Sequence, residues 1–246
     1  MKLITLNIWG GHVIKPLLAF IKSHQDIDIF CLQEVYHNAK EQSALADRIV
    51  HFDLFSQIQA CLPNHQGFFR PVVDNTYGIA MFVSNKVNIL SEGEIVIHEV
   101  PGYVSGAAHP RNLQWLECLV NDQVTSILNV HCLWNGRGKG DSPDRIAQST
   151  SIKGFMDTIN TPKILCGDFN LRPDTKSIEI LEQGMTNLVK THGVTSTRTS
   201  FYEKAERFAD YILISPGITA NHFAVLPDEV SDHAALSLDF QINASS

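Results

Sequence analysis

The sequence predicts an α+β fold in four layers: two mainly antiparallel β-sheets packed face to face, with helices outside. Three observations carry this. Two β–α–β units echo each other, each with an apolar run ending at a polar step (Asn7-Ile8-Trp9, Asn129-Val130-His131), a helical stretch, and an apolar run closing on a carboxylate, Glu34 or Asp168. Between Ile79 and His131, strand-like runs succeed one another with only turn residues between them, the pattern of antiparallel pairing. Sheets with one apolar face must bury it against another layer, and two similar units satisfy this by packing on each other.

Each element follows from local pattern. Lys2 to Trp9 reads as a strand, and Ile14 to His24 as a helix with Leu17, Leu18 and Ile21 on one face. Pro16 falls in the first turn of that helix, where a missing N–H is tolerated. Asp28 to Gln33 is a second apolar strand, running into Glu34. Asn38 is expected to cap a helix carrying Leu45, Ile49 and Val50, followed by a strand over Asp53 to Ala60. Leu62 to Tyr77, rich in Pro, Gly, Asn and aromatic residues, reads as a loop. Strands are expected near Ile79–Val83, Asn88–Ile97, Leu113–Val120 and Val124–His131. A glycine-rich loop, Asn135 to Asp141, then meets Ser142-Pro143, a helix start with proline at the first position. Ile152, Phe155, Met156 and Ile159 give that helix its apolar stripe. The strand Lys163–Asp168, a short helix near Thr175–Glu182 and a polar stretch around Thr191–Ser200 come next. Asp210–Ser215, Ala220–Leu226 and Ala234–Ile242 are the last strands.

The 246 residues show neither a boundary linker nor a low-complexity tract, so the chain reads as a single domain spanning 1–246. A net charge of −7 argues against a strongly basic nucleic-acid binder, but leaves room for a nuclease whose positive field is local or supplied by a metal. The five cysteines lie in or beside apolar stretches without a Cys-x-x-Cys step, which reads as free thiols in a reducing compartment. The N-terminus lacks the pattern of a secretory signal, and no run approaches membrane-spanning length. A cytoplasmic protein with no membrane partner and no obligate protein partner is the expectation.

Polar residues gather where strands end. They are Asn7, Glu34, His131, Asp168 with Asn170 in Gly167-Asp168-Phe169-Asn170, Asp210 in Ala209-Asp210-Tyr211, and Ser231-Asp232-His233. Asp and Asn are depleted inside strands, so a pair directly after one marks either a turn or a site. Glu34 reads as a ligand for a hard divalent cation or as a solvated helix-start acid. Asn7 reads as a ligand for metal or phosphate or as a turn residue. Arg111 either touches phosphate or forms a surface salt bridge, and the loop Trp134–Gly140 is either an anion cradle or a connector. Phe68 and Phe69 offer a base-stacking pair or a small apolar cluster.

This set, in this order, resembles the endonuclease/exonuclease/phosphatase superfamily, the group that includes deoxyribonuclease I, abasic-site endonucleases and inositol-phosphate 5-phosphatases. The likeness runs from Asn7 to His233, and Gly78-Ile79-Ala80 matches the usual central strand. It implies a phosphoesterase dependent on magnesium, or on manganese, with Asn7, Glu34 and Asp232 toward the metal. It also implies that Asp168 takes the proton of the attacking water, with Asn170 orienting it. Asp210 would fix the tautomer of His233, which binds a phosphoryl oxygen, and His131 would serve the leaving oxygen. His131 stands where deoxyribonuclease-like members carry histidine, which favours a phosphodiester substrate of nuclease type, nucleic acid among them. A small phosphomonoester and a non-catalytic binding role are the alternatives. Many abasic-site enzymes carry an acid two positions after the first Asn; Trp9 stands there instead, against repair specificity.

Overall fold

The computed structural model describes residues 1–40 and 51–243. In chain order these form β1 (Lys2–Asn7), a 3-10 turn (Trp9–Gly11), α1 (Ile14–Ser23), β2 (Ile29–Tyr36), α2 (Leu54–Cys61), β3 (His65–Val73), β4 (Tyr77–Ser84), β5 (Ile89–His98), β6 (Arg111–Val120) and β7 (Gln123–His131). Then follow α3 (Pro143–Thr158), β8 (Lys163–Asp168), α4 (Lys176–Glu182), β9 (Thr186–Asn187), α5 (Leu188–Thr191), β10 (Asp210–Ile214), β11 (Ile218–Val225) and β12 (Leu236–Ile242). The strands make two six-stranded sheets, β11-β12-β1-β2-β4-β3 and β5-β6-β7-β8-β10-β9.

Each sheet holds one parallel pair among antiparallel neighbours, β1 with β2 and β7 with β8. α1 bridges the first pair and α3 the second, so the internal echo seen in sequence is a real repeat of topology. Along β1, Leu3 joins the core between the sheets, while Ile4 and Leu6 pack outward with Leu17, Phe20 and Ile21 of α1. Ile152 and Met156 of α3 and Ile178 and Leu181 of α4 join the cluster that contains Ile127, Leu128 and Ile164. Helix, sheet, sheet and helix are thus the four layers.

Two elements differ from expectation. Asp53–Ala60 is not a strand: the Asp53 carboxylate caps the Ser56 N–H, and Leu54, Ile58 and Cys61 fall at helical spacing to form the buried face of α2. Leu62–Tyr77 is not all loop, since β3 occupies most of it. Pro71, which argued for a loop, is tolerated because β3 is an edge strand. Phe68 packs toward the inter-sheet core and Phe69 toward the outer one, beside Phe55, so neither is a base-stacking surface. The helix expected to carry Leu45, Ile49 and Val50 lies outside the described residues.

The inter-sheet core is not wholly apolar. Gln33 Nε2 donates to Asn129 Oδ1 at 2.8 Å and to Thr5 Oγ1 at 3.2 Å, and the Gln114 amide donates to the Phe68 carbonyl at 2.9 Å. These buried amides lie one residue or a few from Glu34, His131 and Asn7. They tie the sheets together where the site begins.

Candidate active site

The carboxyl ends of both parallel pairs open on the same rim. Asn7 ends β1, His131 ends β7 and Asp168 ends β8, opposite His131 in register. Glu34 needs a special device. Strand alternation would send it away from the inter-sheet face that Gln33 occupies. The β2–β4 register slips between Leu32 and Val35, however, and Glu34 takes a left-handed backbone with φ 59°. This bulge lets two successive side chains serve the interior. A second constraint sits at Gly167, where φ is 135° and a Cβ would lie 2.0 Å from the Val130 carbonyl oxygen. Only glycine lets β8 approach β7 closely enough to set Asp168 beside His131.

The side chains interlock. Asn7 Oδ1 accepts the Trp9 N–H at 3.0 Å, which aims its Nδ2 at Glu34 Oε1 (3.0 Å) and Asp168 Oδ2 (2.9 Å). One amide therefore joins acids from opposite sheets. The Asn170 N–H holds the other Asp168 oxygen at 2.8 Å, and the Asn170 amide donates to the Cys132 carbonyl at 3.2 Å. His131 Nε2 lies 3.6 Å and His233 Nε2 3.7 Å from Asp168 Oδ2. His233 Nδ1 meets both Asp210 oxygens, at 2.8 and 3.0 Å. Thr197 fixes Asp210 in turn, donating to Oδ2 at 3.0 Å. Asp232 Oδ1 is 3.8 Å from His233 Nε2, and its Oδ2 accepts Arg198 Nη1 at 3.2 Å. The Ser231 hydroxyl ties this C-terminal turn to the Asn7 carbonyl at 2.7 Å. All eight residues that the sequence singled out by this pattern thus meet at one place.

Burial and charge set the electrostatics. Burial would raise the Asp168 carboxyl, but His233, Lys139, His131 and Arg198 outweigh it and hold Asp168 well below the usual carboxylate range. Glu34 goes the other way, raised mainly by burial. Burial, seconded by Arg111, drives His131 far down, so its imidazole is neutral. Burial also opposes the charge on His233, but Asp210 overcomes it and raises the group. The two imidazoles facing Asp168 are therefore shifted in opposite directions, His131 toward the neutral form and His233 toward the cation.

Ligand atoms of Asp168, Asp210 and His233 fall within 4.8 Å of one another, as metal ligands would. The Asp210–His233 hydrogen bond already explains that closeness, so the imidazole there is oriented by Asp210. Glu34, at the other end of the Asn7 amide and on the cleft wall, is a further carboxylate beside that cluster.

The cleft above these groups has a volume of about 420 Å3. Arg111, Trp134 and Lys139 line it, and Arg111 is buried, so it is not part of a surface salt bridge. Burial pulls the Lys139 ammonium down to about 8. Arg198 and Tyr202 also line the cleft, with the guanidinium stacked 4.0 Å from the Tyr202 ring. Sequence reasoning missed both, because they sit in an irregular stretch with no hydrophobic period.

A four-layer sandwich that joins buried acids and imidazoles at the ends of its central strands has the build of a metal-dependent phosphoesterase. Residues 4–233 match the model of the Endonuclease/Exonuclease/phosphatase family, and the chain belongs to that family, a group of nucleases and phosphatases. Solved structures share the fold at low identity. An endonuclease/exonuclease/phosphatase from Bacteroides vulgatus is 20% identical with a TM-score of 0.75, covering 98% of each chain. A mannosyl-6-phosphatase of Bacteroides thetaiotaomicron is 18% identical with a TM-score of 0.72, covering 98% of this chain and 99% of that one. The human Nocturnin catalytic domain with bound sulfate is 20% identical with a TM-score of 0.69, covering 99% and 93%. No curated protein sequence matches the chain. Among the described residues no helix is long and apolar enough to cross a membrane.

Proposed function

We propose that the chain hydrolyses phosphodiester bonds of nuclease type by in-line attack of water, with magnesium or manganese as its cation. The observation that carries this reading is the Asn7 amide joining Glu34 to Asp168 with both imidazoles within 3.7 Å of the same Asp168 oxygen. A buried and a half-buried carboxylate from opposite sheets, Asp168 and Glu34, offer oxygen atoms only and fit a hard divalent ion. Glu34, with Asn7 and Asp232, would hold it, and when bound it would neutralise charge on a non-bridging oxygen.

The chain's own groups do the rest. Asp168, ionised and pinned by the Asn170 N–H, accepts the proton of the attacking water. His233, kept cationic by Asp210, donates Nε2–H to a phosphoryl oxygen. Neutral His131, across Asp168, can donate an N–H hydrogen bond to the charge developing on the leaving oxygen, which takes its proton from solvent. A small phosphomonoester is the second reading, favoured by the three cations Arg111, Lys139 and Arg198 in the cleft, which match a dianion.

The test is turnover with magnesium on single-stranded DNA, abasic duplex, an aryl phosphodiester, phosphoinositides and sugar phosphates. At least one, a diester, is expected to react. Asp168→Asn and His233→Ala should each slow it by roughly a hundredfold or more. Equal turnover in chelator, or unaffected variants, rejects the mechanism. Turnover confined to sugar phosphates selects the second reading.

A further inference from the structure

Two of the cations lining the cleft have hydrogen-bonding capacity that the protein leaves idle. Arg111, at the start of β6, is 2% exposed, and its Nε and Nη1 find no acceptor among the described residues. Lys139, in the loop between β7 and α3, is also 2% exposed, and its Nζ finds none either. The Tyr202 ring centroid lies 5.9 Å from that nitrogen. Buried donors are nearly always satisfied, and an idle buried cation is costly. Two in one cleft therefore need a reason.

Neighbouring acids are not the reason. Asp168 is already held by Asn7 and Asn170, Asp210 by His233 and Thr197, and Asp232 by Arg198. They act on the two cations only through space. Arg111 feels Tyr77, Asp168 and Glu34, whereas Lys139 feels Asp168, Arg198, Asp210 and Asp232. The two come from different elements, Arg111 from the start of β6 and Lys139 from the β7–α3 loop beside Tyr202, and both line the cleft. The Lys139 position is built rather than accidental. Its carbonyl accepts the Arg172 N–H at 2.9 Å, and the flanking Gly138 and Gly140 carbonyls accept from Arg145 at 2.7 and 2.5 Å.

We propose that Arg111 and Lys139 form an oxyanion clamp, closing on the tetrahedral phosphoryl group of the substrate and on the phosphate-terminated product. The identity of the anion rests on the phosphoesterase reading. A guanidinium edge and an ammonium offer several N–H donors and two charges, matching a dianionic tetrahedral oxyanion. A phosphodiester carries one charge and gains a second as water adds and gives its proton to Asp168. The clamp therefore grips the transition state more strongly than the substrate, and losing it lowers kcat more than it raises KM.

The experiment is calorimetric titration of the chelated protein with inorganic phosphate, so that neither metal nor turnover enters. Wild type is expected to bind one phosphate. Arg111→Gln and Lys139→Gln should each weaken binding at least about tenfold, Lys139→Arg should retain it, and Glu34→Gln should not weaken it. Sulfate should compete, and chloride at equal ionic strength should not. Absent binding by wild type, equal affinity in both glutamine variants, or equal competition by chloride overturns the clamp. Should Arg111→Gln fail to fold, Lys139→Gln, on a loop, decides alone. Phosphate binding without turnover of any ester would sink the proposed activity and leave the clamp standing; turnover without phosphate binding would do the reverse.

Discussion

His233 and His131 have the same side chain and face the same oxygen of Asp168, yet their surroundings separate them. His233 leans on Asp210, and His131 on Arg111 and a dry wall. The charge on His233 belongs to Asp210, and this has a definite sign. Its protonation constant lies above the ordinary value of 6.5 in the folded chain. The stability that its charge adds is therefore complete below that ordinary value and is lost as pH rises through the higher one. Activity that needs the Nε2–H falls over the same rise. Asp210→Asn keeps the shape and removes the charge, so burial prevails and the imidazole becomes neutral at lower pH. The alkaline limb of the pH–rate profile should move toward acid, and the neutral-pH slope of stability against pH should flatten. A profile unchanged in Asp210→Asn would show that His233 does not act as a cation.

At the scale of elements, the site depends on how closely strands approach. β7 and β8 run parallel with Val130 opposite Gly167, and the Val130 carbonyl fills the space a side chain would need. Gly167→Ala should destabilise the protein by about 2–4 kcal/mol, combining backbone strain with a forced strand shift. It should also depress kcat, because Asp168 is the next residue. Urea unfolding reads the first effect, and a midpoint equal to wild type would mean that the strands part without cost. This is also where sequence and structure diverge instructively. The tips Asn7, His131 and Asp168 were legible because a buried strand must end before a polar group can reach solvent or a ligand. Glu34 was legible as a residue but not in its direction, since a bulge breaks the period of two that predicts facing. α2 was misread because an eight-residue segment fits either period, and the Asp53 cap decides it. Arg198 had no signal at all: it is placed by an isolated bridge to His233, a contact between residues far apart in the chain.

The whole molecule is acidic, at −7, and among the described residues its buried cationic donors without a hydrogen-bond partner, on Arg111, Lys139 and Arg198, all line one cleft. That distribution bears on which substrates it can hold. A protein that tracks a nucleic-acid strand neutralises many phosphates and loses affinity steeply with salt, by about 0.7 in log K per phosphate and per log unit of salt for single strands. Here the Lys and Arg side chains lining the cleft are Arg111, Lys139, Arg198 and the exposed Lys204, and Arg198 is already engaged by Asp232. With three or four contacts at most, a plot of log KM against log salt for a single-stranded oligonucleotide should have a slope of about 3 or less. For the same reason KM should stop improving once the strand extends past the few nucleotides that the cleft spans. Steady-state kinetics over a range of salt at fixed magnesium, with strands of increasing length, measures both. A steep slope that grows with strand length would require a basic track outside the cleft. It would make this an enzyme of long polymers, whereas a shallow slope independent of length ties recognition to the single phosphate between Arg111 and Lys139.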